Sequence, residues 1–174
     1  MEYALFFAAL LIAGSAHAAD FKLTSPDFKE GGALPESGVL NGFGCTGQNI
    51  APTLAWSDPP AGTKSFAVTL YDPEAPTGSG WWHWTVYNIP ASERGLSATA
   101  LPKGAKQGLT DFGAAGYGGA CPPVGDKPHR YIFTVHALKT DALDLPPNAS
   151  GALLGFNLTM NRIVSAELTA LYGR

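Results

Sequence analysis

Charge is scarce in this chain: only 14% of its 174 residues are Asp, Glu, Lys or Arg, and the formal net charge is −3. No basic run appears anywhere, which argues against nucleic acid and against an anionic membrane surface as the main partner. Cysteine is nearly absent too. Cys45 and Cys121 are the only two, too few for a zinc cluster, and the lack of a C-x-x-C spacing weakens a redox-enzyme reading. Also missing are H-E-x-x-H, G-x-S-x-G and a phosphate-cradling P-loop, so no assigned nucleophile or common hydrolase signature stands out. Nor is any apolar run long enough to span a bilayer.

What the first eighteen residues do contain is the short apolar run Ala4 to Ala13, followed by the small-x-small site Ala16-His17-Ala18. This pattern predicts a signal peptide over 1–18 and a periplasmic or secreted protein beginning at Ala19, although Met1-Glu2-Tyr3 lacks the usual positive charge. Cleavage would remove Glu2 and leave the chain one unit less negative. In an oxidising compartment an isolated pair of cysteines most simply forms a disulfide; two buried free thiols are the other reading.

With 45% hydrophobic residues the chain can bury one sizeable core, and a single domain over 19–174 is expected. Twenty-one Gly and fourteen Pro divide it into short segments whose apolar residues mostly recur at strand spacing. Ser65 to Tyr71 reads as a strand buried on both faces that delivers Asp72 at its C-terminal end. Trp82 to Ile89, ending at Pro90, and Arg130 to Leu138, with His129 at its start, read as two more. Ser150 can cap a helix carrying Leu153, Leu154, Phe156, Leu158 and Met160, and the alternation from Ala166 to Tyr172 reads as a closing strand. The expected fold is mainly β, an antiparallel Greek-key-type sandwich with a few short peripheral helices. Asn148-Ala149-Ser150 and Asn157-Leu158-Thr159 match the glycosylation pattern, but the first is better explained as a helix start.

Two stretches concentrate the chemistry, Asp72 to Trp84 and Gly118 to Tyr131, each pairing proline-stiffened turns with one histidine. Counted by twos, His129 and Tyr131 share one strand face while Arg130 points away as a structural or surface residue. Asp72 and Glu74, two apart across a proline, are close enough to border one cavity. A carboxylate there can fix the tautomer of His83 or His129 and leave the other ring nitrogen for a ligand. The plainer alternative has both acids capping turns and both histidines satisfied by backbone carbonyls.

D-P-E-A-P, G-W-W-H-W and C-P-P-x-G-x-x-x-H-R-Y, in this order, resemble the phosphatidylethanolamine-binding protein (PEBP) family, and more closely its bacterial YbhB/YbcL branch, often labelled Raf kinase inhibitor-like. T-D-F-G, G-A-L-L-G-F-N and the pairing of F-G-C-T-G with G-G-A-C-P-P extend the similarity from about Phe21 to Tyr172, the last pairing looking like exported members. The resemblance implies a β-sandwich with a small pocket for phosphate-like anions or a phospholipid head group, and no cofactor or metal. Its pocket residues fall on Asp72, Glu74, Trp81, His83, Pro122, His129 and Tyr131. It further implies that Asp72-Pro73 is cis. Glu74 stands where the family most often has Asp, and the sequence runs only two residues past Tyr172, without the C-terminal helix of eukaryotic relatives.

Three functions are compatible with these residues. The leading one is a non-catalytic binding module in which His83 and His129 donate to an anion while Trp81 and Tyr131 form the wall. A His/carboxylate hydrolase and an exported protein-interaction or inhibitor module are the alternatives.

Overall fold

The computed structural model describes residues 20–97 and 100–174; the predicted signal peptide lies outside the described residues. In chain order the strands are β1 (Lys22–Thr24), β2 (Gly32–Ala33), β3 (Asn41–Gly42), β4 (Cys45–Thr46), β5 (Leu54–Ser57) and β6 (Ser65–Asp72). They continue with β7 (Trp81–Pro90), β8 (Gly95–Leu96), β9 (Lys106–Gln107) and β10 (His129–Leu138), then helix α1 (Gly151–Asn161) and β11 (Arg162–Tyr172). A six-stranded sheet of order β2-β11-β10-β6-β7-β9 faces a three-stranded sheet β1-β5-β8, and β3-β4 forms a small ribbon.

The fold is mainly β, but not antiparallel everywhere: an isolated bridge between Val39 and Ala120 is parallel, and so is one pair of strands. β2 pairs with β11 in parallel, through Ala170↔Gly32 and Leu171↔Ala33. At two residues β2 is too short to carry a readable pattern, so its direction is set by where the preceding turn deposits it. The long central strands are antiparallel throughout, β10 running beside both β6 and β11.

Period-two alternation explains the layers. Tyr131, Phe133, Val135 and Ala137 from β10 join Phe66, Val68, Leu70 and Trp84 on one face of the large sheet, packed against Leu23, Leu54 and Trp56 of the small one. On the opposite face Ala67, Tyr87 and Leu138 lie under Leu143, Leu145, Leu154 and Leu158. β6 is therefore apolar on both faces because both are covered. The helix starts where expected: the Ser150 hydroxyl accepts the Leu153 N–H at 3.2 Å, satisfying one of the first-turn donors. It then passes directly into β11, which begins at Arg162, earlier than the alternation from Ala166 suggests, because pairing with β10 extends back to Leu138↔Arg162.

Candidate functional site

At one end of the large sheet, β6, β7 and β10 bring Asp72, Trp81, His83, His129 and Tyr131 around a cavity of about 280 Å³. Pro122 completes the set of predicted residues that line it. Glu74 does not. Its carboxylate turns outward to accept the Arg130 backbone N–H at 3.0 Å and the Arg130 Nε–H at 2.7 Å. Burial would raise the Glu74 carboxyl, but the Arg130 hydrogen bonds and charge outweigh it and hold the group below its ordinary range. The outward placement of Arg130 thus removes Glu74 from the cavity. The Asp72–Pro73 bond is trans, since no cis peptide occurs among the described residues, and this corrects the family-based expectation.

Asp72 is 2% exposed and fully committed. One carboxylate oxygen accepts the backbone N–H groups of Glu74 at 2.8 Å and Ala75 at 3.1 Å, closing the turn after β6. The other accepts His129 Nδ1 at 2.8 Å, which sets that ring's orientation. Asp126, half-exposed, lies 3.4 Å from His129 Nε2 and places a second carboxylate at the mouth.

His83 reaches the cavity through a bulge. Leu70 pairs with Trp84 and Tyr71 with Trp82, so the register shifts and His83 is left without a partner across the ladder. Its ring is held from the 118–121 loop: Nδ1 donates to the Gly118 carbonyl at 2.8 Å, and the Gly118 N–H returns a bond to the His83 carbonyl at 2.9 Å. Here the plainer expectation, a histidine satisfied by backbone, is what the structure contains. Gly118 is required at this approach because a Cβ would overlap the Phe112 ring. Burial pushes the His83 imidazole down, against the raising influence of the Gly118 carbonyl and the Asp72 charge. A neutral ring that donates through Nδ1 presents Nε2 as an acceptor.

Tyr131 is fully buried between these groups, its ring 5.2 Å from that of His83. Burial, and next the Asp72 charge, push its phenol upward, although the Cys121 backbone amide opposes them. No hydrogen bond of ordinary geometry joins that amide to the phenol, and among the described residues Tyr131 Oη, like Trp81 Nε1, has no partner. Both atoms are sealed donors on lining residues.

Beyond the predicted set, Ala75, Pro76, Thr77, Cys121 and Pro123 of the proline-stiffened turns also line the cavity, and from outside the two motifs come Phe43, Phe112 and Arg174, which sequence reasoning missed. Phe112 belongs to the T-D-F-G motif, whose role is now visible. Asp111 accepts the Trp82 N–H at 2.7 Å and Thr110 bonds the Ala114 carbonyl at 2.8 Å, pinning the turn so that Phe112 stands edge-on to Trp81 and His83. Phe43, 74% exposed and at φ 50°, stacks on Phe112 at the mouth. The 117–121 loop is held by Asn49, which bonds the Tyr117 carbonyl and the Gly119 N–H, and by the Cys45–Cys121 disulfide.

The fold and this site define a two-sheet β protein with a histidine-lined cavity at one sheet end. The chain belongs to the phosphatidylethanolamine-binding protein family, whose profile matches residues 24–173. It is 57% identical to the UPF0098 protein YbcL of Escherichia coli over 91% of this chain and 90% of that one, and 54% identical to YbhB of the same organism over 87% and 99%. The crystal structure of E. coli YbcL, described as a new member of the mammalian PEBP family, superposes with a TM-score of 0.87 at 56% identity, covering 90% of this chain and 99% of that one. A Mycobacterium tuberculosis relative named as a proposed lipoprotein, LppC, is 37% identical over 74% of this chain and 60% of its own length.

Proposed function

We propose that this PEBP-family chain is an exported, non-catalytic binding protein whose cavity takes a phosphate-like anion, free or as the phosphoryl part of a phospholipid head group. The observation that carries the reading is the pair of imidazoles, each fixed through Nδ1, His83 on a carbonyl and His129 on a carboxylate, with both rings lining one cavity. Rigid, differently anchored rings suit binding of a small polar group. Export is supported by the predicted signal peptide, by a disulfide between the chain's only two cysteines, and by a relative named as a proposed lipoprotein.

The neutral state of His83 refines how an anion is held. Its Nε2 accepts a hydrogen bond, so a phosphate monoanion can donate its own O–H there, whereas sulfate, which carries no proton, requires the ring to be protonated first. Anion binding favours the charged ring, and affinity for sulfate therefore rises as pH falls below the ordinary histidine range. Titration calorimetry of protein beginning at Ala19, with inorganic phosphate, phosphoethanolamine and sulfate at pH 5 to 8, tests this. The expected result is binding that His83→Ala loses by at least about tenfold, with sulfate gaining most at the acid end. No heat with any of the three, or full affinity in His83→Ala, would contradict the reading.

A further inference from the structure

We propose that Arg174 is the charge-bearing contact of the pocket, the side chain that selects an anionic group over a neutral one. The inference rests on the anion-binding reading above. Among the described residues that line the cavity Arg174 is the one Lys or Arg, and Asp72 is the one carboxylate. Burial disfavours the cationic form of His83, and the Asp126 carboxylate confronts His129 Nε2. An anion entering this cavity therefore meets acids on one side and needs a permanent positive charge on the other. Arg130 does not supply it, being paired with Glu74 outside the cavity.

Arg174 is held where it can. Its Nε donates to the Pro122 carbonyl at 2.6 Å and its Nη2 to the Phe43 carbonyl at 3.3 Å, while its own main-chain oxygen accepts the Gly125 N–H at 2.9 Å. Those two acceptor carbonyls belong to the loops that the Cys45–Cys121 disulfide joins. A guanidinium has five N–H donors in a fixed fork, and about three remain after these bonds. Gly44 lies beside Nη1, and its φ of 83° rather than any clash is what favours glycine there, since a Cβ would make only ordinary contact at 3.4 Å. No Asp or Glu side chain forms an ion pair with Arg174 among the described residues. A pre-oriented guanidinium that bonds only neutral carbonyls and borders a cavity offers the planar, charge-assisted donors that phosphoryl oxygens accept.

A merely structural clip between the two loops would look the same in a single deletion, so the test separates charge from anchoring. Arg174→Gln and Arg174→Lys are compared with the unaltered protein in calorimetric titrations with inorganic phosphate at several salt concentrations, and thermal unfolding of each is recorded. The expected result is that Arg174→Gln weakens phosphate binding about tenfold and flattens its salt dependence, while Arg174→Lys keeps the salt dependence and most of the affinity. Equal affinity in Arg174→Gln overturns the proposal. So does an equal loss in both variants with unchanged salt dependence, which marks a structural clip. If the unaltered protein binds no phosphate, the pocket reading itself fails and this inference falls with it.

Discussion

Replacing His136 with Gln should flatten the acid side of the stability profile. His136 sits in the C-terminal half of β10, 7% exposed, with Nε2 3.2 Å from the Thr69 hydroxyl and Nδ1 without a partner among the described residues. Burial, and secondarily the Arg162 charge, push its imidazole down to about 3. The folded chain thus holds this ring neutral, whereas the unfolded chain protonates it near the ordinary value of about 6.5. Because the unfolded state binds the extra proton, stability is fully present above that value and is lost as pH falls toward the folded pKa. At about 1.4 kcal/mol per unit, the loss reaches about 3 kcal/mol by pH 4 and about 4 kcal/mol by pH 3. Urea unfolding at fixed pH values checks this. The unaltered protein should lose several kcal/mol more than His136→Gln between pH 6.5 and 4; parallel profiles would show that another group drives acid unfolding. His83, also depressed by burial, adds to the slope in the same direction and remains in both proteins.

The disulfide carries the second large effect. Cys45 and Cys121 are 76 residues apart in sequence, and closing so long a loop restricts the unfolded chain by about 4 kcal/mol on the chain-entropy account. Cys45 packs with Val39 and Leu40, and Cys121 lines the cavity, so the bond ties a small apolar cluster to the binding site. The double variant Cys45→Ala, Cys121→Ala should lower the unfolding free energy by about 4 kcal/mol at an unchanged native fold, and should weaken phosphate binding as the loop bearing Pro122 loosens. A loss below about 1 kcal/mol would contradict the account. It would mean that residual structure already restricts this loop in the unfolded chain without the bond.

The parts of this structure that sequence reveals are those governed by local periodicity. β6, β7 and β10 are long enough for burial to imprint a pattern, and counting by twos correctly sets His129 and Tyr131 on one side and Arg130 on the other. The Ser150 cap is equally local. What periodicity cannot express is an inserted residue, and His83 is aimed by such an insertion in β7. Nor can it identify partners brought from elsewhere: the Gly118 carbonyl beneath His83, the Phe43 and Phe112 rings at the mouth, and the Arg174 guanidinium. Glu74 shows the limit of proximity in sequence. Its place two positions from Asp72 is compatible with facing the cavity, but the strand alternation that turns Arg130 outward supplies a cation on the other side, and the carboxylate follows it.

The central claim is that His83 is fixed as the Nδ1–H tautomer, is neutral when free, and engages an anion through Nε2. Long-range proton–nitrogen NMR of the histidine rings, assigned with His83→Gln and followed from pH 5 to 8 with and without saturating phosphate, tests it directly. The account predicts a protonated Nδ1 and bare Nε2 for free His83, a pKa below the ordinary 6.5, and an upward shift together with a moved Nε2 signal when phosphate is added. A His83 protonated at Nε2 in the neutral state, or a His83 titration that phosphate leaves untouched, would contradict it.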